Sequence, residues 1–260
     1  MPETRYAEGL RVERRPDGVC VLVLDRPERR NALTDRLLRT LGRELTEIAV
    51  DPEVHVVILT GADGVFSAGG DFDQLATMGA TPESAVAEEL SQTMRAATLL
   101  WALPQPSIAV VDGAAVGAGM SLALACDIRI ASPSALLLPS FIRMGLLPDC
   151  GATWLLPRLI GAGAALRMLL EGRPVDAATA QRLGLFSQVS ANPLDEAVEL
   201  AAVFGRHPLA AAATKRVLRE VADGGLAAAI EHEAVAQAAA FHRGEFAESF
   251  DIWRTARIAD

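Results

Sequence analysis

Three short apolar runs, each bounded by turn signals, constrain this chain more than any other feature. Val19–Leu24 reads VCVLVL without a polar break, and Val54–Thr60 and Ser107–Val111 are nearly as apolar. A strand with one wet face alternates polar and apolar positions, whereas a continuous run needs cover on both faces. Helical patterns fill the gaps. Leu37, Leu38, Leu41, Leu45 and Ile48 recur at helical spacing behind Thr34, a suitable N-cap. A long helix over about Pro82–Leu103 stops before Pro104 and Pro106, and another from about Val116 to Cys126 leads to a fourth strand at Asp127–Ala131. The order predicts an α/β protein with a mainly parallel sheet covered by helices.

After Pro148 the character changes. Segments at about 151–171, 176–185, 194–206, 209–222 and 226–250 read helical, with a short possible strand near Phe186–Val189. No linker rich in Pro, Ser or charge separates the halves. The expected division is a core over residues 1–195 and a helical region over 196–260, packed on the core or on a neighbouring subunit. Ile230, Val235, Ala238, Phe241 and Phe246 form a stripe on the last segment. With 24 basic against 33 acidic residues, net −9, the chain is a poor match for nucleic acid. A small polyanion needs only a local basic patch. No apolar run reaches the ~18 residues of a membrane span, and the first residues lack the order of a signal peptide. A soluble, cytoplasmic protein is expected. Cys20, Cys126 and Cys150 and the four histidines show no ligand spacing, so no metal is expected.

Two loops carry the chemistry. Phe66-Ser67-Ala68-Gly69-Gly70-Asp71 and Gly113-Ala114-Ala115-Val116-Gly117-Ala118-Gly119-Met120-Ser121 each follow a strand and open a helix. Small residues there admit a ligand close to the backbone, and helix N-termini present unpaired N–H groups. Two such loops can aim two donors at one oxygen, the geometry of an oxyanion hole. The bland alternative is that the glycines only make turns. The second loop has no full GxGxxG followed by an acidic residue, so a dinucleotide fold fits weakly.

Together with their neighbours, these loops resemble the crotonase (enoyl-CoA hydratase/isomerase) family. The match runs through Leu24-Asp25-Arg26-Pro27-Glu28-Arg29-Arg30-Asn31-Ala32-Leu33, Val56–Asp71, Ile108–Ile130 and Gly145-Leu146-Leu147-Pro148-Asp149, covering about residues 10–257. The resemblance implies a ββα-spiral core, a helical trimerisation region, trimers that pair into hexamers, and acyl-CoA thioesters as ligands. It implies no permanently bound cofactor, coenzyme A entering as part of the substrate. Carried over, the oxyanion donors are the backbone N–H groups of Ala68 and Ala118. Coenzyme A is expected to contact Arg26, Arg30, Ala32, Ala68, Gly69, Gly70, Asp71 and Ala118, with Asp71 also starting a helix. Ala256, next to Arg257, replaces a lysine that in relatives reaches a neighbouring subunit's ligand.

Hydratases of the family use two glutamates, and the matching positions here are Ser121 and Phe141. Neither is a carboxylate base. One carboxylate remains, Asp149, which in isomerase-like branches faces the thioester's alpha carbon; it also suits a cap for the helix near Gly151. Met144, Leu146, Leu147 and Trp154 are expected to make its surroundings apolar. Ser121 is read as a wall or an orienting hydroxyl. The leading expectation is an isomerase moving a double bond from the 3- to the 2-position of an enoyl-CoA. The alternatives are an enoyl-CoA hydratase, a hydrolytic dehalogenase lacking its histidine base, and a non-catalytic acyl-CoA-binding protein. The helix from about Gly70 to Leu103 is expected to line the acyl pocket.

Overall fold

The continuous apolar strands are covered on both faces, and their alternation sorts the core into two layers. In the computed structural model, which describes residues 3–222 and 225–258, a hairpin of β1 (Glu3–Ala7) and β2 (Leu10–Arg14) leads into β3 (Val19–Leu24). Then come α1 (Asp35–Ile48), β4 (Val56–Gly61), α2 (Phe72–Met78), α3 (Glu83–Ala102) and β5 (Ser107–Val111). Cys20, Leu22 and Leu24 of β3, Val57 and Leu59 of β4, and Ala109 and Val111 of β5 join the larger core, with α1 and α3. The residues between them, Val19, Val21, Val23, Val56, Ile58, Ile108 and Val110, join a second core on the other face. A period of two along each strand explains why every position is apolar. The N-cap is as expected, Thr34 Oγ1 accepting from the Leu37 N–H at 3.2 Å.

β6 (Ala114–Val116), α4 (Ala118–Ala125), β7 (Ile128–Ala131), β8 (Leu136–Leu138), α5 (Ala152–Ile160), α6 (Ala162–Glu171), β9 (Val175–Asp176), α7 (Ala177–Arg182), β10 (Gln188–Val189) and α8 (Pro193–Phe204) complete the core. The main sheet runs β1-β2-β3-β4-β5-β7-β10, parallel from β3 onward, and β6-β8-β9 form a small second sheet. The chain ends in α9 (Pro208–Glu220), α10 (Leu226–Phe241) and α11 (Gly244–Ile258). Among the described residues no helix is long and apolar enough to cross a membrane.

Several expected boundaries move. The division at 195/196 cuts α8, whose Ala197 and Ala201 are fully buried in the second core. That helix is the cover for the sheet's other face, so the core extends through it. The 70–103 helix is two, because a turn at Gly79–Pro82 separates α2 from α3. The 151–171 and 226–250 segments are likewise each two helices, broken at Gly161 and at 242–243. The second small-residue loop contains β6, because Ala114–Val116 pairs with Leu136–Leu138.

Candidate active site

The first small-residue loop is moulded by the turn that follows β3. Asn31, fully buried with φ +56°, donates through Nδ2 to the carbonyls of Ala62 (2.9 Å) and Val65 (2.6 Å). Its Oδ1 accepts from the Arg26 N–H, and its own carbonyl accepts from Ser67 Oγ. Asparagine is among the few residues that take this left-handed backbone readily. The loop then aligns on both sides. Leu33 N–H donates to Gly69 O at 2.7 Å and Asp71 N–H to Leu33 O at 3.0 Å. Ser67 pairs with Ala114–Val116 of the second loop, its N–H donating to Ala114 O and its carbonyl accepting from Val116 N–H. Gly69, at φ +86°, closes the approach: a Cβ there would lie 2.7 Å from Val116 O and 3.8 Å from the Ala118 nitrogen.

Hydrogen bonding decides which amides face a ligand, and it corrects one expectation. The Ala68 N–H already donates to Arg30 O at 2.9 Å and is not available to an oxyanion. The Gly69 N–H is held by Ser67 Oγ at 3.1 Å. Among the described residues Gly70 N–H has no acceptor, and neither has the N–H of Ala118, the first residue of α4. The two loops therefore bring together Gly70 and Ala118 as free donors, not Ala68 and Ala118. Ser121 is fully buried, and its hydroxyl bonds back to Gly117 O at 3.3 Å. Phe141 is buried too, its ring 3.7 Å from where a Gly117 Cβ would stand.

Asp149 is not a cap. Helix α5 starts behind Gly151 with no side-chain cap, and only the Asp149 backbone carbonyl bonds to Ala152 N–H. Its Oδ1 is buried without a hydrogen-bond partner. Burial pushes the carboxyl up to about 6, against a smaller lowering by the Cys150 thiol and its own backbone. The next two residues take left-handed backbone, Cys150 at φ +46° and Gly151 at +86°. Met144, Leu146 and Leu147, expected to enclose the acid, lie largely on the surface; Leu147 is 83% exposed. Of the four, only Trp154 lines a cavity beside it.

That cavity, about 590 Å³, lies between α3 and the start of α5 and is walled by Met94, Ala97, Trp101, Cys150, Trp154 and Leu155. Trp101 and Trp154 meet edge to face at 5.2 Å. Of the expected 70–103 segment, α3 alone contributes to this wall, and α2 takes no part in it. Asp71 caps α2 by accepting from Asp73 N–H, as expected of a helix-start residue.

Around the turn the arginines separate. Arg26 is committed internally: Nη1 donates to Ala32 O at 2.6 Å and pairs with Asp71 Oδ2 at 3.0 Å. Its Nη1 is therefore not free for the coenzyme A contact that the resemblance implies. Arg29 pairs with Asp73 at the surface. Arg30 is exposed, and its side chain makes no ion pair among the described residues. The side chains of Ala256 and Arg257 lie outside the described residues. Among the described residues no group of three or more His, Cys, Asp or Glu is placed to hold a metal.

Comparison with known proteins gives matches along nearly the whole chain. The family model described as enoyl-CoA hydratase/isomerase matches residues 14–257. A protein of Mycobacterium tuberculosis named probable enoyl-CoA hydratase EchA14 is 38% identical over 216 residues, 83% of each chain. The 1,2-epoxyphenylacetyl-CoA isomerase of Escherichia coli is 38% identical over 174 residues, 66% of each. A solved structure, a putative enoyl-CoA hydratase from Thermobifida fusca in complex with acetoacetyl-CoA, superposes with a TM-score of 0.82 at 33% identity, covering 90% of this chain and 94% of that one.

Proposed function

The chain belongs to the enoyl-CoA hydratase/isomerase family of the crotonase superfamily, and from that premise we propose that it isomerises an enoyl-CoA, moving the double bond from the 3- to the 2-position. One observation carries the reading: Asp149 has a buried, unpartnered carboxyl oxygen; the sequence resemblance, for its part, aligns Ser121 and Phe141, both buried, with the hydratase glutamates. The ionised carboxylate takes a proton from the alpha carbon. The electrons pass to the thioester oxygen, which accepts hydrogen bonds from Gly70 and Ala118 N–H. The same carboxyl then returns the proton at the gamma carbon, the double bond moves, and no atom is gained or lost. One acid–base group suffices, and the donors stabilise the enolate where its charge develops.

Hydration would need a water held and activated beside the double bond. A buried hydroxyl bonded to its own helix and an aromatic ring offer neither a base nor an acid. The acyl group enters the cavity between α3 and α5, and Arg30 meets the phosphates of coenzyme A. The similarity to the E. coli isomerase, whose name is an isomerisation of an acyl-CoA, supports the reading. Residues from α9 onward form the assembly region of a trimer or of paired trimers; Leu226, Val235 and Ile252 on α10 and α11 are more than two-thirds exposed. The test is turnover. Conversion of a 3-enoyl-CoA to its 2-enoyl isomer, lost in Asp149→Asn, is expected; faster addition of water to a 2-enoyl-CoA would overturn it in favour of hydratase, and binding without either reaction in favour of a carrier.

A further inference from the structure

The commitment of Arg26 inside the protein has a consequence for the oxyanion donor. Its Nη1 donates to Ala32 O at 2.6 Å; the N–H on the other side of that same peptide, Leu33, donates to Gly69 O at 2.7 Å. The Gly69–Gly70 peptide carries the free Gly70 N–H. Because each peptide is planar and trans, its N–H points opposite to its carbonyl. Fixing Ala32 O thus aims Leu33 N–H, and fixing Gly69 O aims Gly70 N–H away from the turn, toward the ligand side.

Asp71 completes the frame. Its N–H bonds Leu33 O at 3.0 Å, and its carboxylate pairs with Arg26 at 3.0 Å, with only 7% of that side chain exposed. Although burial raises its pKa, the Arg26 hydrogen bond and charge hold it below the usual carboxylate range. Room for Arg26 comes from the β1–β2 turn. At Gly9, φ +83°, a Cβ would stand 2.5 Å from Arg26 Cγ and 2.6 Å from Cδ.

We propose that Arg26 is a positioning residue for the reaction, acting on the Gly70 N–H through a hydrogen-bonded chain of two peptide units rather than on coenzyme A. Hydrogen bonds in series polarise one another. A guanidinium at the head of the chain therefore strengthens the last donor as well as aiming it. This rests on the reading of Gly70 and Ala118 as oxyanion donors.

The experiment uses acetoacetyl-CoA, whose enolate absorbs in the near ultraviolet, as a probe of oxyanion stabilisation independent of turnover. In the parent protein the enolate band is expected to appear on binding. Its absence would sink the oxyanion reading, and this proposal with it. Arg26→Met keeps the apolar stem and is expected to weaken the band and lower kcat about tenfold, less than the 100- to 1000-fold typical of deleting a donor. The Kd of free coenzyme A should stay unchanged. Arg26→Lys keeps the charge and should recover most of both signals; should the Met variant fail to fold, the Lys variant decides, with a kcat drop of about threefold expected from its lost fork geometry. Weaker coenzyme A binding with the parent's band and kcat, in either variant that folds, would make Arg26 a ligand contact and overturn the proposal. So would no change at all.

Discussion

Replacing Asp149 by Asn separates chemistry from stability, because the two effects have opposite signs. The folded carboxyl is raised to about 6 from an ordinary 3.8, chiefly by burial. A rise of about two units corresponds to about 3 kcal/mol. The folded state binds this proton more tightly than the unfolded state. Well below pH 3.8 both states are protonated and nothing is lost; as pH rises to 6 and beyond, the native state carries a buried charge and loses that ~3 kcal/mol. Asn carries no charge at any pH. Any constant cost of its amide, roughly 1–3 kcal/mol if poorly paired, cancels when the same two proteins are compared at pH 8 and pH 4. The Asn-minus-Asp difference in unfolding free energy should therefore shift by about 2.5 kcal/mol in favour of Asn between those pH values. That amounts to a relative change in Tm on the order of 5–10 °C for a chain of this size. Isomerase activity moves the other way. The parent should lose about tenfold between pH 7 and pH 5 as the base is protonated, and Asn should cost roughly 100- to 10,000-fold at pH 7. Thermal melts and initial rates across pH read both. An Asn variant that melts lower by the same amount at both pH values would refute the burial argument, and an acid limb near pH 4 would refute the raised carboxyl.

Three shorter expectations follow from the same geometry. Gly69→Ala places a methyl 2.7 Å from Val116 O at a φ of +86°; it should cost about 1–3 kcal/mol in denaturant melts and, by parting the loops, remove the acetoacetyl-CoA enolate band. Thr34→Ala deletes the cap of α1 and should cost about 0.5–2 kcal/mol with kcat unchanged, since Thr34 takes no part in the site. Light scattering should give a trimer or a multiple of one, and Leu226→Asp with Val235→Asp, at positions 78% and 74% exposed, should lower that mass; a parent monomer at micromolar concentration would remove the assembly role of the last helices.

Much of the fold was legible because its signals are local. The continuous apolar runs become strands whose alternate residues feed two cores, and Thr34 caps the helix its spacing predicts. Elements fixed by partners far along the chain were harder to read. β6 exists because Leu136–Leu138 lies beside it, and nothing in Ala-Ala-Val alone requires a strand. The N-terminal hairpin is an edge with alternating burial, Leu10 and Val12 in and their neighbours out, which gives a weaker signal than a buried run. The reach of the core was misplaced for a similar reason: Ala197 and Ala201 are poor hydrophobic markers, yet their small size lets α8 lie close on the sheet.

The candidate site shows the same boundary between pattern and partner. Small residues mark a loop where backbone can meet a ligand, but which amide is free depends on what each neighbour has already bonded. Ala68 and Gly70 differ by two positions in the sequence and are opposite in availability, because Arg30 O takes one N–H while the Leu33–Gly69 bond turns the other outward. Arg26 and Arg30 look alike as basic residues on a turn, and only their acceptors separate an internal brace from an exposed cation. Asp149 is the reverse case: its sequence context fits a helix cap, and the helix that starts behind it declines the side chain. A carboxylate held largely out of water, with one oxygen unpartnered and only the Cys150 thiol and its own backbone favouring its charge, is costly, and such groups cluster where ionisation is used in chemistry. The orphaned oxygen of Asp149 and its raised pKa thus share one cause in burial, and the stability the carboxyl forfeits above pH 6 is the measurable counterpart of the base proposed for it.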